Sequence, residues 1–185
     1  GASSHNQDHA FRLAGRGIFY DTGHCMKLSV ILPGLVQSNQ RAEFLAVLLS
    51  GLRDLRPLDI RSDSDYVCKG VASWQSWCDN GWQHDHADLW NLLAAELRCR
   101  DTNVQVSWVK GHAKKIDIER GRTPVEDKRG NDGADSLAVN GAMLHHVPAE
   151  VVEVAQARKK HARSIHQMMV SILQARFAAE QAQHD

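Results

Sequence analysis

No apolar run in these 185 residues approaches the length needed to cross a bilayer, and the polar stretch Gly1 to His9 has no signal-peptide core. The reading excludes a membrane partner, and an intracellular location, cytoplasmic or nuclear, is the default expectation. The four cysteines, Cys25, Cys68, Cys78 and Cys99, form no Cys-x-x-Cys pair. Buried free thiols in a reducing compartment are therefore expected. Net charge is missing too: Lys+Arg 22 balances Asp+Glu 22. A chain without a bulk field does not draw in polyanions from a distance, so any nucleic-acid contact must rest on local charge. Repeats and low-complexity tracts are absent. What is present is a hydrophobic content of 43%, enough for a core, in a length that suits one domain with an appendage.

Gly17 to Asp21 and Met26 to Leu32 read as two strands joined by the turn Asp21-Thr22-Gly23-His24. Pro33-Gly34 breaks the pattern. Asn39 to Leu55 is a helix whose buried stripe is Leu45, Leu48, Leu49 and Leu52, ended by Pro57. Leu58 to Arg61 is a short strand, Tyr66 to Trp77 a helix, and Asn80-Gly81 a turn. Asp88 to Arg98 is a helix with Leu89, Leu92, Leu93 and Leu97 on one side. Val104, Val106 and Trp108 alternate with polar residues, as in a strand. His112 to Gly130 is charged, aperiodic and contains Pro124, so it reads as a long loop. Asn131 to Leu144 is helical, and a last helix runs from Pro148 close to Phe177. The order describes an α/β fold with a mixed sheet flanked by helices, in residues 1–147, and an extra C-terminal helix in 148–185.

Glu43 falls near the start of its helix, Asp63 just after a strand end, and Asp135 early in a helix. Such positions let carboxylates from different elements meet at one rim of a sheet. Clustered carboxylates raise each other's pKa unless a cation sits among them. Magnesium takes such oxygen ligands and keeps waters for a substrate phosphate. On spacing alone, helix-start charge for Glu43 and Asp135 and an N-cap for Asp63 explain the same residues. Asp65 and Asp132 read as helix-start acids.

The surrounding words reverse that balance. Asn39-Gln40-Arg41-Ala42-Glu43, Asp63-Ser64-Asp65-Tyr66, Val109-Lys110-Gly111-His112 and Asn131-Asp132-Gly133-Ala134-Asp135-Ser136-Leu137-Ala138 occur in one order over Gly1 to Gly141. This resembles the ribonuclease H family. The resemblance implies a ribonuclease H-like mixed sheet and hydrolysis of the RNA strand of RNA–DNA hybrids. It implies Mg2+ as cofactor, two ions in the complete site with Mn2+ as a substitute, held by Glu43, Asp63 and Asp135, and turnover assisted by His112. It also implies a fourth acid, ending the first and central strand before a Gly-Ser-like turn. Gly1-Ala2-Ser3 resembles that turn, so the expected ligand would precede Gly1 and its strand would be missing here. Asp8 and Asp21 are weaker substitutes.

Trp74, Trp77 and Trp82 resemble the family's protruding handle, which grips the DNA strand by its aromatic faces. Cys78, Asp79 and Asp85 depart from the basic versions of that element. Trp90 and Trp108 read as core. Ser38, Asn39 and Gln40 match positions that touch the hybrid backbone, or simply cap a helix, and Lys110 is a further candidate contact. Lys114, Lys115, Arg120, Arg122, Lys128 and Arg129 are interleaved with Asp117, Glu119, Glu126 and Asp127, giving either a phosphate contact or a solvated loop. Ile165, Met168, Met169, Ile172 and Phe177 form an apolar stripe on the last helix, after a basic cluster at 158–163. Reverse-transcriptase domains of the same polyprotein are a candidate partner. A non-catalytic hybrid-binding or polymerase-associated module of the same fold is the second reading, and another nuclease or transposase of the superfold the third.

Overall fold

The computed structural model describes residues 1–4, 12–145 and 147–181. Strands β1 (Ala2–Ser4), β2 (Leu13–Ile18) and β3 (Leu28–Ile31) form an antiparallel sheet in that order. Strands β4 (Leu58–Ser62) and β5 (Val104–Trp108) form a separate parallel pair. The expected first strand sits earlier than its apolar residues suggest. β2 starts at Leu13 and stops at Ile18, and Tyr20 instead stacks on His24 across the turn, with ring centroids 4.9 Å apart. The Gly1–Ser3 segment, expected as a turn, leads into strand: Ala2 pairs with Gly15.

Helix α1 (Asn39–Arg53) starts where Ser38 accepts a hydrogen bond from the Arg41 amide at 3.2 Å. The tyrosine–tryptophan stretch breaks into α2 (Asp65–Ala72) and α3 (Trp74–Asp79) at Ser73. Helix α4 (Ala87–Cys99) follows. The long loop is shorter than its composition implies. It holds the short helix α5 (Lys115–Glu119), and α6 (Val125–Met143) starts right after Pro124, a residue that needs no amide partner at a helix start. Helix α7 (Ala149–Gln181) completes the order.

Side-chain alternation along β2 decides what lies on each face. A Cβ at Gly15 would come 2.1 Å from Ala138 O, and one at Gly17 2.1 Å from Ala134 O. Those two glycines let α6 lie directly against the strand. Ala14, the residue before Gly15, is fully buried with Leu32 and Ala42 on the other side, against α1. Small residues on both sides thus set the depth of α6, and with it the height of Asp135.

The main core is aromatic. Phe44, Trp82 and Trp90 are buried with Val47, Leu48, Val67, Leu89 and Leu93. The Phe44 and Trp90 rings are 4.1 Å apart. Trp90 donates its indole N–H to the Tyr66 hydroxyl at 2.7 Å. Leu52 and Leu92, expected in the buried stripes, are exposed, because each lies at the edge of its helix's core-facing arc. Trp108 is also exposed, at the last residue of its strand. Of the cysteines only Cys68 is buried, where burial pushes its thiol up to about 11; Cys25 and Cys99 are exposed, against expectation.

The chain divides into two compact units, Gly1–His145 and His146–Asp185. In the second, the stripe Ile165, Met168, Met169, Ile172 and Phe177 is exposed. No helix among the described residues is long and apolar enough to cross a membrane.

Candidate active site

Between β2 with its continuation to Tyr20 and the edge of β4 lies a cavity of about 330 Å3. Gly17 to Tyr20 line one side and Leu58 to Asp63 the other. Gly1, Glu43 and Asp135 stand on its wall as well. The three acids named by the sequence therefore share one chamber, although each comes from a different element.

Each acid sits where its simpler explanation fails. Glu43 is one turn past the α1 N-cap, and the first turn of that helix holds no acid. Ser64, not Asp63, occupies the N-cap of α2. Asp135 was expected early in a helix, but α6 begins ten residues before it, so helix-start charge does not account for it. Asp65 and Asp132 do have ordinary partners, Lys69 at 2.6 Å and Lys128 at 2.5 Å. Asp132 lies mid-helix, one turn from Asp135, rather than at a helix start.

The electrostatics separate these acids from the rest. Burial pushes the Glu43 carboxyl up, and Asp63 adds to the shift, while the Gly1 ammonium and the Ser64 hydroxyl oppose it. Burial, then Asp63, raises Asp135 as well, opposed by the Gly1 ammonium and His112. Asp63 is thus the common neighbour of the other two. The Gly1 nitrogen is 3.6 Å from Glu43 Oε1, which places the start of β1 beside the acids.

Carboxylate oxygens brought together from three elements suit a hard divalent cation. Yet among the described residues no three His, Cys, Asp or Glu side chains converge closely enough to hold a metal ion. The donor chemistry, carboxylate oxygen alone, fits Mg2+.

His112 has φ of 49°, in the left-handed region, and its exposed ring places Nδ1 3.6 Å from Asp135 Oδ2. Gly111 leans on Asp63: a Cβ there would come 2.6 Å from Oδ2. The Lys110–His112 turn therefore touches two of the three acids. Asp21 is engaged elsewhere, with Arg129 at 3.0 Å, and Asp8 lies outside the described residues.

The proposed nucleic-acid contacts divide. Asn39 is exposed and Ser38 and Gln40 half-buried, at the start of α1 one turn before Glu43. Lys110 donates to Asp117 Oδ1 at 2.7 Å, and its side chain remains partly exposed. Trp82 is a correction: it is buried, stacked on Trp90 with centroids 5.9 Å apart, and offers no face to a base. A glycine at 81 with φ of 74° turns the chain so that the indole points inward. Trp74 and Trp77 are half-buried and already engaged, Trp74 under Arg98 and Trp77 against His84. Trp82→Ala is therefore expected to cost about 3–5 kcal/mol of fold stability in urea unfolding, rather than a stacking contact.

Sequence reasoning missed Gln37. Its amide nitrogen donates to Leu32 O and Gly34 O, and its Oε1 accepts from Ala14 N at 2.9 Å, which pins the loop leading to Ser38. A lone glutamine in a loop carries no sequence signal for this. Asp117, in the charged loop, was passed over in the same way.

A mixed α/β domain with an oxygen-rich acidic rim is a scaffold for cation-assisted chemistry. A family model for RNase H matches residues 1–143, and the chain belongs to the ribonuclease H family of endoribonucleases. Ribonuclease H of Schizosaccharomyces pombe is 34% identical over 137 residues, covering 70% of this chain and 46% of that protein. Ribonuclease H of Marinobacter nauticus is 36% identical over 118 residues, covering 58% of this chain and 74% of the relative. Human ribonuclease H1 is 29% identical over 138 residues, covering 70% of this chain and 43% of that protein. The chain thus spans less than half of the yeast and human relatives. The solution structure of the PFV RNase H domain superposes with a TM-score of 0.60 at 22% identity, covering 77% of this chain and 90% of that one. That likeness shows the fold.

Proposed function

We propose that this domain hydrolyses the RNA strand of RNA–DNA hybrids with Mg2+, or Mn2+ in its place, and that Glu43, Asp63 and Asp135 hold the ions. The observation that carries the reading is the shared chamber that Glu43, Asp63 and Asp135 line, where burial first and Asp63 after it raise Glu43 and Asp135. Bound ions would supply an activated water and charge stabilisation for the leaving oxygen. His112, exposed and beside Asp135, carries protons between the rim and solvent. Asn39 and Gln40, next to Glu43 at the start of α1, offer side-chain amides to the hybrid backbone. Discrimination of RNA rests on its 2′-hydroxyl. Reverse-transcriptase domains of the same polyprotein are the proposed neighbours.

A fourth ligand is proposed to come from a strand that precedes Gly1. Two observations support it. β1 pairs with β2 so that Ala2 faces Gly15, Ser3 faces Ala14 and Ser4 faces Leu13. Each step back in β1 is one step on in β2, so the residue before Gly1 would face Gly17, and three more would reach Tyr20. Those positions line the cavity, whose other side is the β4 edge not paired to β5. A carboxylate on the residue before Gly1 would enter the group formed by Glu43, Asp63 and Asp135.

A version extended N-terminally by such a strand, with an aspartate before Gly1, should cut the RNA strand of a labelled hybrid with Mg2+. Residues 1–185 alone should cut little or not at all. Robust cutting by residues 1–185 would sink the fourth-ligand proposal. The second reading, a hybrid-binding module without catalysis, is favoured by the absence of three converging ligands among the described residues. It predicts that the extended version binds hybrid and leaves it intact.

A further inference from the structure

We propose that Asp117 is a positioning residue that sets the distance between Asp63 and the Asp135–His112 pair. The proposal rests on the reading of these acids as the metal-binding rim.

Asp117 is 3% exposed, in a segment whose neighbours are largely solvated. Every acceptor it has is used. Oδ1 accepts from Lys110 Nζ at 2.7 Å and lies 3.0 Å from Arg122 Nη2. Oδ2 accepts from the Lys114 amide at 2.9 Å. Its carbonyl oxygen accepts from the Arg122 amide at 2.8 Å and the Thr123 amide at 3.3 Å. One buried residue thus grips both sides of the turn 111–113 and both residues that lead into Pro124 and α6.

The two gripped segments are the ones that carry the rim. On one side, Gly111 is packed directly on the Asp63 carboxylate, and His112 faces Asp135. Val109 and Ala113, on either side of Lys110–His112, are buried anchors. On the other side, Thr123 is buried immediately before the helix that bears Asp135. Thus Lys110, the Lys114 amide and the Arg122 side chain meet at the Asp117 carboxylate, and the Arg122 and Thr123 amides meet at its carbonyl. Charge-assisted hydrogen bonds to a buried anion are the strong kind and fix direction as well as distance. A neutral isostere cannot serve donors on both oxygens, because its amide group presents N–H where an acceptor is needed.

The test compares the 185-residue chain with Asp117→Asn. Amide hydrogen exchange at residues 110–114 and 122–126 should rise by about tenfold or more, as charge-assisted bonds are lost. Rates in α1 and β4 should stay as in the parent. In the same samples, Mn2+ should broaden the His112 ring resonances in the parent and broaden them less in the variant, while Glu43 and Asp63 broaden equally in both. Unchanged exchange together with unchanged His112 broadening overturns the positioning role. If Mn2+ broadens none of the acids in the parent, the three acids do not hold an ion without a fourth ligand, and the exchange comparison alone then decides whether Asp117 holds the turn. Should Asp117→Asn unfold the domain, Arg122→Met cuts one link from the other side. Faster exchange confined to 122–126 then supports the proposal, and parent-like exchange there overturns it.

Discussion

Two sets of acids in this domain sit in opposite electrostatic situations. Asp54 and Asp117 are as buried as any charged groups here, and both are satisfied. The Arg56 guanidinium holds Asp54 down to about 2, through bonds of 2.8 and 2.7 Å. Hydrogen bonds from Lys110 and the Lys114 amide lower Asp117. Glu43 and Asp135 lie around one cavity, and burial and Asp63 raise both. A protein that needed only stability would pair the second set as it pairs the first. The groups nearest the rim acids, the Gly1 nitrogen at Glu43 and the His112 ring at Asp135, each stand 3.6 Å away, farther than the Arg56 and Lys110 bonds of the first set.

The largest expected effect cuts that comparison at its centre. In the N-terminally extended version, Asp63→Asn should reduce cutting by at least about a thousandfold, since metal-borne charge stabilisation is worth several kcal/mol. The melting temperature should not fall. Asp54→Ala should do the reverse, lowering the melting temperature while each folded molecule cuts as before. A cutting assay beside a thermal scan reads both. Asp63→Asn that cuts like the parent would end the assignment.

Next in size is the response to the cation. Mg2+ at about a hundred times its dissociation constant should stabilise the extended protein by about 2.7 kcal/mol, reversibly with chelator. Asp54→Ala should keep that increment and Asp135→Asn should lose most of it. Equal increments in both would erase the distinction between the two sets.

A smaller effect comes from the charges alone. Without added metal at neutral pH, Glu43→Gln and Asp135→Asn should each raise the melting temperature slightly, because each removes an ionised group held against burial and Asp63. A fall in both would mean that the contacts of Glu43 with Ser64 and of Asp135 with Asn131 and His112 outweigh burial and Asp63.

The smallest effect is the pH profile, and its sign differs between the sets. Asp54 is lowered in the fold from 3.8, so its stabilisation is present above that value and is lost as pH falls toward about 2. Glu43 and Asp135 are raised, so their ionised forms penalise the fold above their folded pKa values. That penalty is relieved as pH falls through those values. Metal-free protein should therefore gain a little stability on mild acidification before acid unfolding begins, and Glu43→Gln/Asp135→Asn should lack the gain. Urea midpoints taken across the acidic range test this.

Glu43, Asp63, Asp135 and His112 were legible in the sequence because each lies in a local word. Helix-start charge and N-capping, the simpler explanations, depend on helix starts that periodicity locates poorly. Pro124 looked like part of a loop, so α6 was begun too late and Asp135 was placed near a helix start. The handle tryptophans show the opposite limit. Their residue type suited stacking on a base, yet the turn at Gly81 sends Trp82 into the core against Trp90. Local pattern reports what a side chain is able to do, and only packing decides which way it faces.

By itself the sequence determined the order of elements, the four words of the family and the chemistry of the acids, since these depend on neighbours along the chain. The tertiary structure decided the rest. Gly15 and Gly17 admit α6 to the sheet and so bring Asp135 to Asp63. The β2 and β4 segments face each other across the cavity that the three acids line. Asp117 ties the His112 turn to the start of α6. Each of these joins residues far apart in sequence, where contact is set by close packing and shared hydrogen bonds rather than by the spacing of residues along the chain.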